Sequence, residues 1–236
     1  ERNDISGAAQ LGTDLGNDKD GGCQIWLYGM ANAATGANKF CHSTWVAGHQ
    51  TNDYHWDTGF ICIGNNAINN VKIQMSSGNG TCHLVKILDL RKKPKNILKL
   101  LKNNKITKIF HYARFDVAVL KNAFKIEIKN IYCTKIASKL VRTYTDKHGY
   151  KDLCTELLGK SISKTEQSSD WGGELTKEQQ KYAATDVLYL HKIKDKLDSM
   201  LLREKRSKLA KACFDFIQYR TDLDINGWSE QDIFKH

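Results

Sequence analysis

The sequence predicts an α/β fold in which a mixed sheet is flanked by helices. Residues that alternate between apolar and polar give strands early in the chain, strands and helices then alternate, and the last part is mostly helical. This order of elements is typical of a mixed α/β sandwich rather than a purely parallel, doubly wound sheet.

The clearest strands form a hairpin. Residues 71–75 (VKIQM) and 81–87 (TCHLVKI) each alternate, and the SSGNG between them has turn-forming composition. Earlier in the chain, GCQIWLYGM at residues 22–30 has the composition of one further strand. The chain therefore contributes at least three strands before its first helix.

Helices and strands alternate after the hairpin. Pro94, the only proline, marks a helix start, because Ile97, Leu98 and Leu101 follow it at helical spacing. The strand ITKIFHYA, the helix RFDVAVLKNAF and a short strand at residues 128–132 come next.

The remainder of the chain is predicted to be helical. TKIASKLVRTYT and YKDLCTELLG give two helices, and residues 175–202 give a single long one. Thr176 with Gln179 three residues later is a capping box at the start of that long helix.

Length and composition limit the class of protein. At 236 residues and 26.8 kDa, the chain accommodates one domain, or one domain with a small appendage. Its apolar runs, such as residues 60–63, are far shorter than the roughly 20 residues that span a bilayer, and no export leader is visible. The seven cysteines are scattered and lack zinc-ligand spacing, so we expect reduced thiols and a cytoplasmic location.

The net charge of +10 is unevenly distributed. Residues 1–70 contain 3 Lys and Arg against 7 Asp and Glu, a net charge of −4, whereas residues 71–236 contain 33 against 19, a net charge of +14. A basic globular domain favours a polyanionic partner, nucleic acid first, because each neutralised phosphate releases a counterion. A solvated, lysine-rich surface is the alternative.

Three carboxylates stand out by their context. Asp57 follows Trp56 at a predicted strand start, Asp116 lies where a strand gives way to a helix, and Asp186 lies in the last long helix. Tyr182 precedes Asp186 by four residues, which places both side chains on one helix face. These four residues are the predicted catalytic residues.

Acids from distant elements are what a metal-dependent phosphodiesterase needs. Carboxylates clamp two divalent ions about 4 Å apart, one of which activates water while the other stabilises the leaving oxygen. Taken singly, Asp116 is also explained as a helix N-terminal acid and Asp186 as a solvated helix residue. Taken together, they favour a metal site.

Three segments carry a family resemblance. FHYARFDVAVL, SSDWGGELTKEQQKYAATDVLYL and the hairpin VKIQMSSGNGTCHLVKI resemble ribonuclease D, a DEDD-class 3'-to-5' exonuclease with a tyrosine in its last motif. The match covers about residues 57–200, and the SDW at residues 169–171 favours ribonuclease D over polymerase proofreading domains. The tail is similar to that of compact bacterial members without added helical RNA-binding domains.

The resemblance implies a ribonuclease-H-like sheet and a two-metal site. In that family pattern Asp57 bridges both ions, Asp116 holds the second, Asp186 holds the first and Tyr182 positions the attacking water. The ions are Mg²⁺ or Mn²⁺, the substrate is single-stranded RNA with a free 3' end, and tRNA precursors are typical. Neither a membrane partner nor a small-molecule cofactor is expected.

Gly59 departs from the family pattern. The family has a glutamate two residues after the first aspartate, where both carboxylates point to one side of a strand, and glycine offers no ligand. A catalytically impaired protein that binds RNA ends is therefore the alternative function. Asp57-Thr58-Gly59 also resembles an aspartic protease motif, but bulky Phe60 and the single copy of the motif exclude that class.

Two weaker candidates have ordinary structural explanations. His111 at a strand end has the position of a general base, but a packed or hydrogen-bonded histidine is the simpler interpretation. The basic run at residues 192–208 is either a solvated helix face or a surface that follows RNA phosphates. The sequence thus predicts an unassigned segment at residues 1–56 and, at residues 57–236, an exonuclease domain with a helical tail.

Overall fold

The computed structural model describes residues 70–87, 89–162, 176–229 and 231–235, apart from the side chains of Asn70 and Lys72. It also gives the backbone of three strands, which are β1 (Cys23–Met30), β2 (Cys41–His42) and β3 (Trp45–Val46). Asp57, Gly59 and the SDW segment lie outside these residues, and their roles stay predictions.

The main sheet is mixed and has five strands in the order β5-β4-β1-β6-β7. Besides β1, its members are β4 (Asn70–Ser76), β5 (His83–Ile87), β6 (Lys108–Phe110) and β7 (Ile131–Cys133). Strand β1 lies at the centre, antiparallel to β4 and parallel to β6, while β4 and β5 form the predicted hairpin. The predicted strand in GCQIWLYGM is confirmed, and it comes from the segment to which the sequence assigned no function.

Seven helices occur in the described part of the chain. They are α1 (Lys95–Lys102), α2 (Ala113–Phe124), α3 (Thr134–Val141), α4 (Tyr150–Leu158), α5 (Lys177–Leu188), α6 (Leu190–Arg203) and α7 (Ser207–Ile225). No helix among them has both the length and the apolar composition needed to cross a bilayer.

The prediction of a single helix over residues 175–202 is wrong, because α5 and α6 meet at Tyr189. Its backbone N–H donates to the carbonyl of Val187 instead of one four residues earlier, which interrupts the ladder. The regular pattern resumes where the Ile193 N–H donates to the Tyr189 carbonyl at 3.0 Å. The last backbone carbonyls of α5 are therefore left to accept hydrogen bonds from donors outside the helix.

Both faces of the sheet are covered. Val71, Ile73 and Met75 share one face of β4 and are buried, and Gln74 and Ser76 on its other face are buried as well. Helix α2 contacts β1, β6 and β7, whereas α5 contacts β1, β4 and β5. Each fully buried apolar side chain contributes roughly 1.5–3 kcal/mol, so this packing holds the two helices in place.

A buried lysine anchors α1 to the start of β6. Lys108 is fully buried, and its ammonium donates to the carbonyls of Asn103 at 2.6 Å and Ile106 at 2.7 Å. Both carbonyls lie at or just beyond the C-terminal end of α1, where a cation is favoured. The end of α1 is thereby fixed at the edge where β6 begins.

The hairpin tip reaches the start of α6. Gly78 has a φ of +86°, and a Cβ built there would lie 3.0 Å from the ring of His191. A side chain at residue 78 is therefore disfavoured both by the backbone conformation and by the close His191 ring. This close approach brings the hairpin next to the junction of α5 and α6.

Candidate active site

Asp116 is placed by a sharp transition from strand to helix. The chain leaves β6 and enters α2 through Tyr112, whose φ of 67° and ψ of 48° are left-handed. A tyrosine rarely adopts this conformation, and such outliers occur where a site requires a particular backbone path. Asp116 then falls in the first turn of α2, and its carboxylate is fully buried.

His111, at the end of β6, is held in a defined orientation. Its Nδ1 lies 2.9 Å from the hydroxyl of Thr134, and that hydroxyl donates its only proton to the carbonyl of Phe110. These two contacts hold the imidazole ring in place at the end of the strand. This agrees with the prediction of a packed, hydrogen-bonded histidine.

Helix α5 carries the second part of the site. The predicted capping box is present, since the Gln179 N–H donates to the Thr176 hydroxyl at 3.1 Å and the Thr176 N–H to the Gln179 side chain at 2.9 Å. With the helix start fixed, Tyr182 and Asp186 point inward, with exposed fractions of 7% and 1%. Asp186 is therefore a buried acid and not a solvated helix residue.

The charge of Asp186 acts on four titratable neighbours. Burial is the main cause that raises the pKa of Cys82 to about 11 and that of Cys154 to about 12, and the negative charge of Asp186 contributes to both increases. The pKa values of Tyr150 and Tyr182 are raised by burial first and by Asp186 as well. These groups come from the hairpin, α4 and α5, so Asp186 lies where the three elements meet.

Tyr150 connects the two acid-bearing regions, and the sequence did not predict it. Its hydroxyl donates to the carbonyl of Thr185 at 2.6 Å, next to Asp186, and its ring packs edge-on to His111 with centroids 5.9 Å apart. The preceding Gly149 donates its N–H to the Asp152 carboxylate, which occupies the space where a Cβ would lie. The contacts of Tyr150 with Thr185 and His111 are long-range and have no local sequence signal.

Lys151 adds a positive charge at this place. Its ammonium lies 5.5 Å from the ring centroid of Tyr182 and so stabilises the ring electrostatically. The lysine was also missed by sequence reasoning, because a lysine in the first turn of a helix carries no special pattern. It gives the site a cation beside its predicted water-positioning tyrosine.

The structure joins α5, which carries Tyr182 and Asp186, to the end of β6, from which the chain leads through Tyr112 to Asp116. Helices α2 and α5 both contact β1, and the path from His111 through Tyr150 to Thr185 joins the end of β6 to α5. Within the residues that the structure describes, no three His, Cys, Asp or Glu side chains form a metal-binding group. The candidate ligands among the described residues are the buried carboxylates of Asp116 and Asp186.

Three of the seven cations in the basic run at residues 192–208 have partners in the protein. Lys194 contacts Asp198 at 2.5 Å, and Arg203 contacts Glu204 at 3.0 Å. Arg206 donates to the carbonyl of Leu140. The other four cations of the run, Lys192, Lys196, Lys205 and Lys208, are exposed, so both interpretations of the run stay predictions.

Comparison with known protein families identifies the class. A family model described as 3'-5' exonuclease matches residues 56–202. Ribonuclease D of Acidiphilium cryptum is 32% identical over 128 residues, which are 52% of this chain and 32% of that protein. The chain thus spans about a third of the length of that relative. The predicted resemblance to ribonuclease D is confirmed.

Solved structures extend the similarity over nearly the whole chain. Brucella melitensis NrnC is 41% identical, with a TM-score of 0.72 and 94% of both chains covered, and it has also been solved with bound Mg²⁺ and bound to pGG. A structure described as the apo form of the nuclease is 36% identical, with a TM-score of 0.75 over 97% of this chain and 94% of that chain. Escherichia coli RNase D, at 20% identity and a TM-score of 0.66, shares the fold over 92% of this chain and 48% of its own. The predicted mixed α/β nuclease fold is confirmed.

Proposed function

Because the chain belongs to the 3'-5' exonuclease family, whose model matches residues 56–202, we propose that it is an exoribonuclease that shortens RNA from the 3' end. In each step a water oxygen bonds to the terminal phosphorus and the bond from phosphorus to O3' breaks. The products are a nucleoside 5'-monophosphate and an RNA with a new 3' hydroxyl. We assign this activity to residues 57–236 together with β1, the central strand of their sheet, with tRNA precursors as substrates.

We also propose that the protein is located in the cytoplasm. Cys82, Cys133, Cys154 and Cys213 are free thiols, and free thiols persist in a reducing compartment. RNA substrates of this kind are found in the same compartment.

The buried carboxylate pair carries the proposal. Asp116 and Asp186 have exposed fractions of 0% and 1%. A buried ionised carboxylate is costly unless a cation compensates it, and carboxylate oxygens are the donors that Mg²⁺ and Mn²⁺ prefer. The donor set therefore fits a divalent ion, with Asp57 as the proposed third ligand. The bound Mg²⁺ in the Brucella melitensis protein supports the same class of ion.

The side chains have separate roles in the proposed reaction. When bound, divalent ions lower the pKa of a water and stabilise the leaving oxygen. The raised pKa of Tyr182 keeps its phenol neutral at ordinary pH, so it orients the attacking water by hydrogen bonding without adding negative charge. Tyr150 positions Asp186 through the carbonyl of Thr185. Lys151, beside Tyr182, offers its charge to the phosphate.

A protein that binds RNA ends without cutting them is the second candidate function. Gly59 motivates it, because glycine supplies no carboxylate where the family pattern has glutamate. A site with fewer anionic oxygens holds its first metal less tightly, which weakens the activation of water. RNA binding does not depend on that step, so binding persists when hydrolysis is lost.

One gel assay separates the two functions. A 5'-labelled RNA with a free 3' hydroxyl is incubated in Mn²⁺ with the unaltered chain, with Gly59→Glu, with Asp186→Asn and with Asp195→Asn, an exposed control on α6. We expect a ladder of one-nucleotide steps from the unaltered chain and from Asp195→Asn, and none from Asp186→Asn. A ladder from Gly59→Glu alone supports the binding protein, and no ladder from any chain contradicts the catalytic assignment. A tRNA precursor and pGG, tested in parallel, define the substrate class.

A further inference from the structure

A segment before and along α1 forms a continuous positive surface. Between residues 89 and 105 the chain has seven cations and a single acid, Asp89. All seven cations are exposed, and we call them the α1 basic face: Arg91, Lys92, Lys93, Lys95, Lys99, Lys102 and Lys105. This surface is more strongly basic than the run at residues 192–208, which is interleaved with acids.

The α1 basic face is hardly neutralised by the protein. Asp89 contacts Arg91 at 2.9 Å, and in the described part of the chain no other carboxylate forms an ion pair with the face. In the second basic run, Lys194 and Arg203 have carboxylate partners, and three acids lie among its seven cations. Six lysines of the α1 basic face are thus available to an external anion.

The N-terminal end of the α1 basic face, at Lys95, is electrostatically unfavourable in the isolated protein, whereas the helix dipole favours Lys99 and Lys102 in the last turn. Lys95, Lys99 and Lys102 recur at helical spacing on the side of α1 opposite the buried Ile97 and Leu101. Like charges four residues apart destabilise a helix, and Lys95 lies at the N-terminal end, where the helix dipole disfavours a cation. An anionic partner relieves both effects.

The sheet topology places one end of this face near the candidate site. Strand β5 is antiparallel to β4, which is antiparallel to β1, and β1 is parallel to β6. Strands β5 and β6 therefore end at the same edge of the sheet. The chain after β5 begins the α1 basic face at the edge where the chain after β6 leads to Asp116. Helix α1 then runs back towards the start of β6, to which Lys108 anchors it.

We infer that the α1 basic face binds the phosphates of single-stranded RNA on the 5' side of the nucleotides in the active site. This inference rests on the proposed function and extends it to longer substrates. Lysine ammonium groups contact phosphates and carry no base readout, so binding is independent of RNA sequence. A dinucleotide such as pGG has no chain beyond the site, so its hydrolysis does not involve the face.

Matched charge variants test the inference. Lys92, Lys93, Lys95 and Lys99 are changed together to Gln, and a control variant changes four exposed lysines of the other run, Lys192, Lys196, Lys205 and Lys208, to Gln. Both variants lose the same charge, so a general electrostatic effect is equal in the two. Thermal melting checks that both remain folded.

Binding is measured by fluorescence anisotropy of an RNA of about 20 nucleotides in EDTA, across a series of salt concentrations. Each lost phosphate contact lowers the slope of log affinity against log salt by about 0.7 for a single strand, so the α1 variant loses up to about 3 in slope. We expect its Kd to rise at least about tenfold at low salt, while the control keeps the slope of the unaltered chain. KM for the long RNA rises in parallel, and KM for pGG does not change.

The outcomes separate this inference from the proposed function. Equal binding losses in the two variants, or equal losses on the long RNA and on pGG, overturn the inference. If only binding to anionic lipid vesicles depends on the face, it is a membrane-binding surface and the inference is wrong. Because binding in EDTA needs no hydrolysis, a chain that binds as expected but never cuts contradicts the proposed activity and leaves the RNA-binding surface supported.

Discussion

Replacing Tyr150 by phenylalanine removes one hydroxyl and creates no cavity. Tyr150 has an exposed fraction of 4%, and its hydroxyl donates to the Thr185 carbonyl at 2.6 Å. In a regular helix the Tyr189 N–H would bond that carbonyl, but it donates to Val187 instead. The hydroxyl therefore satisfies a partly buried acceptor at the end of α5, and its loss costs about 1–2 kcal/mol of unfolding free energy.

The expected readouts are stability and turnover. For a chain of this size the loss lowers the melting midpoint by roughly 2–8 °C. Thr185 directly precedes Asp186. We therefore expect kcat on RNA, measured at a temperature well below the melting midpoint, to fall about tenfold with little change in KM. Tyr219→Phe is the matched control, because Tyr219 is 66% exposed. The positioning role is refuted if Tyr150→Phe matches that control in both midpoint and kcat.

Two further predictions concern stability. Arg142 is fully buried and donates to Glu156 at 3.1 Å and to the carbonyl of Lys147 at 2.6 Å. Arg142→Met removes these bonds but leaves no buried charge, because Glu156 is exposed. We expect a cost of about 1–3 kcal/mol in urea unfolding, against under about 0.5 for the exposed control Arg91→Met; equal costs would contradict this. The pKa is raised to about 11 for Cys82 and to about 12 for Cys154, so these thiols ionise at lower pH in the unfolded chain, near the ordinary thiol pKa of 9.0. Unfolding free energy should therefore be constant below about pH 8 and fall from about pH 9 to 12, by up to about 1.4 kcal/mol per pH unit for each thiol. The double change to Ala should flatten this part of the profile, and an unchanged profile would show that other groups cause the fall.

Local patterns in the sequence predicted much of the fold. The hairpin follows from alternation around SSGNG, α1 from the spacing that follows Pro94, and the start of α5 from the pairing of Thr176 with Gln179. Asp116 and Asp186 were predicted because an acid is unusual in an otherwise apolar context. Each of these signals lies within a few residues of the element that it determines.

Features that depend on contacts between distant residues were not predictable in this way. The break at Tyr189 leaves the apolar periodicity intact, so the pattern continues through it. The bond from Tyr150 to Thr185 joins residues 35 apart, and the burial of Arg142 depends on how α3 and α4 pack. The central position of β1 is a matter of strand pairing, which the composition of one strand does not encode.

Metal binding by the buried carboxylates is the central claim, and it can be measured without RNA. Free Mn²⁺ is followed by electron paramagnetic resonance as it is titrated into the unaltered chain, Asp116→Asn, Asp186→Asn and the exposed control Asp195→Asn. We predict saturable binding to the unaltered chain and the control, with the melting midpoint raised by mass action, and strong weakening in the two buried-site variants. Equal Mn²⁺ binding by all four proteins, or none by the unaltered chain and the control, would contradict the assignment of Asp116 and Asp186 as metal ligands.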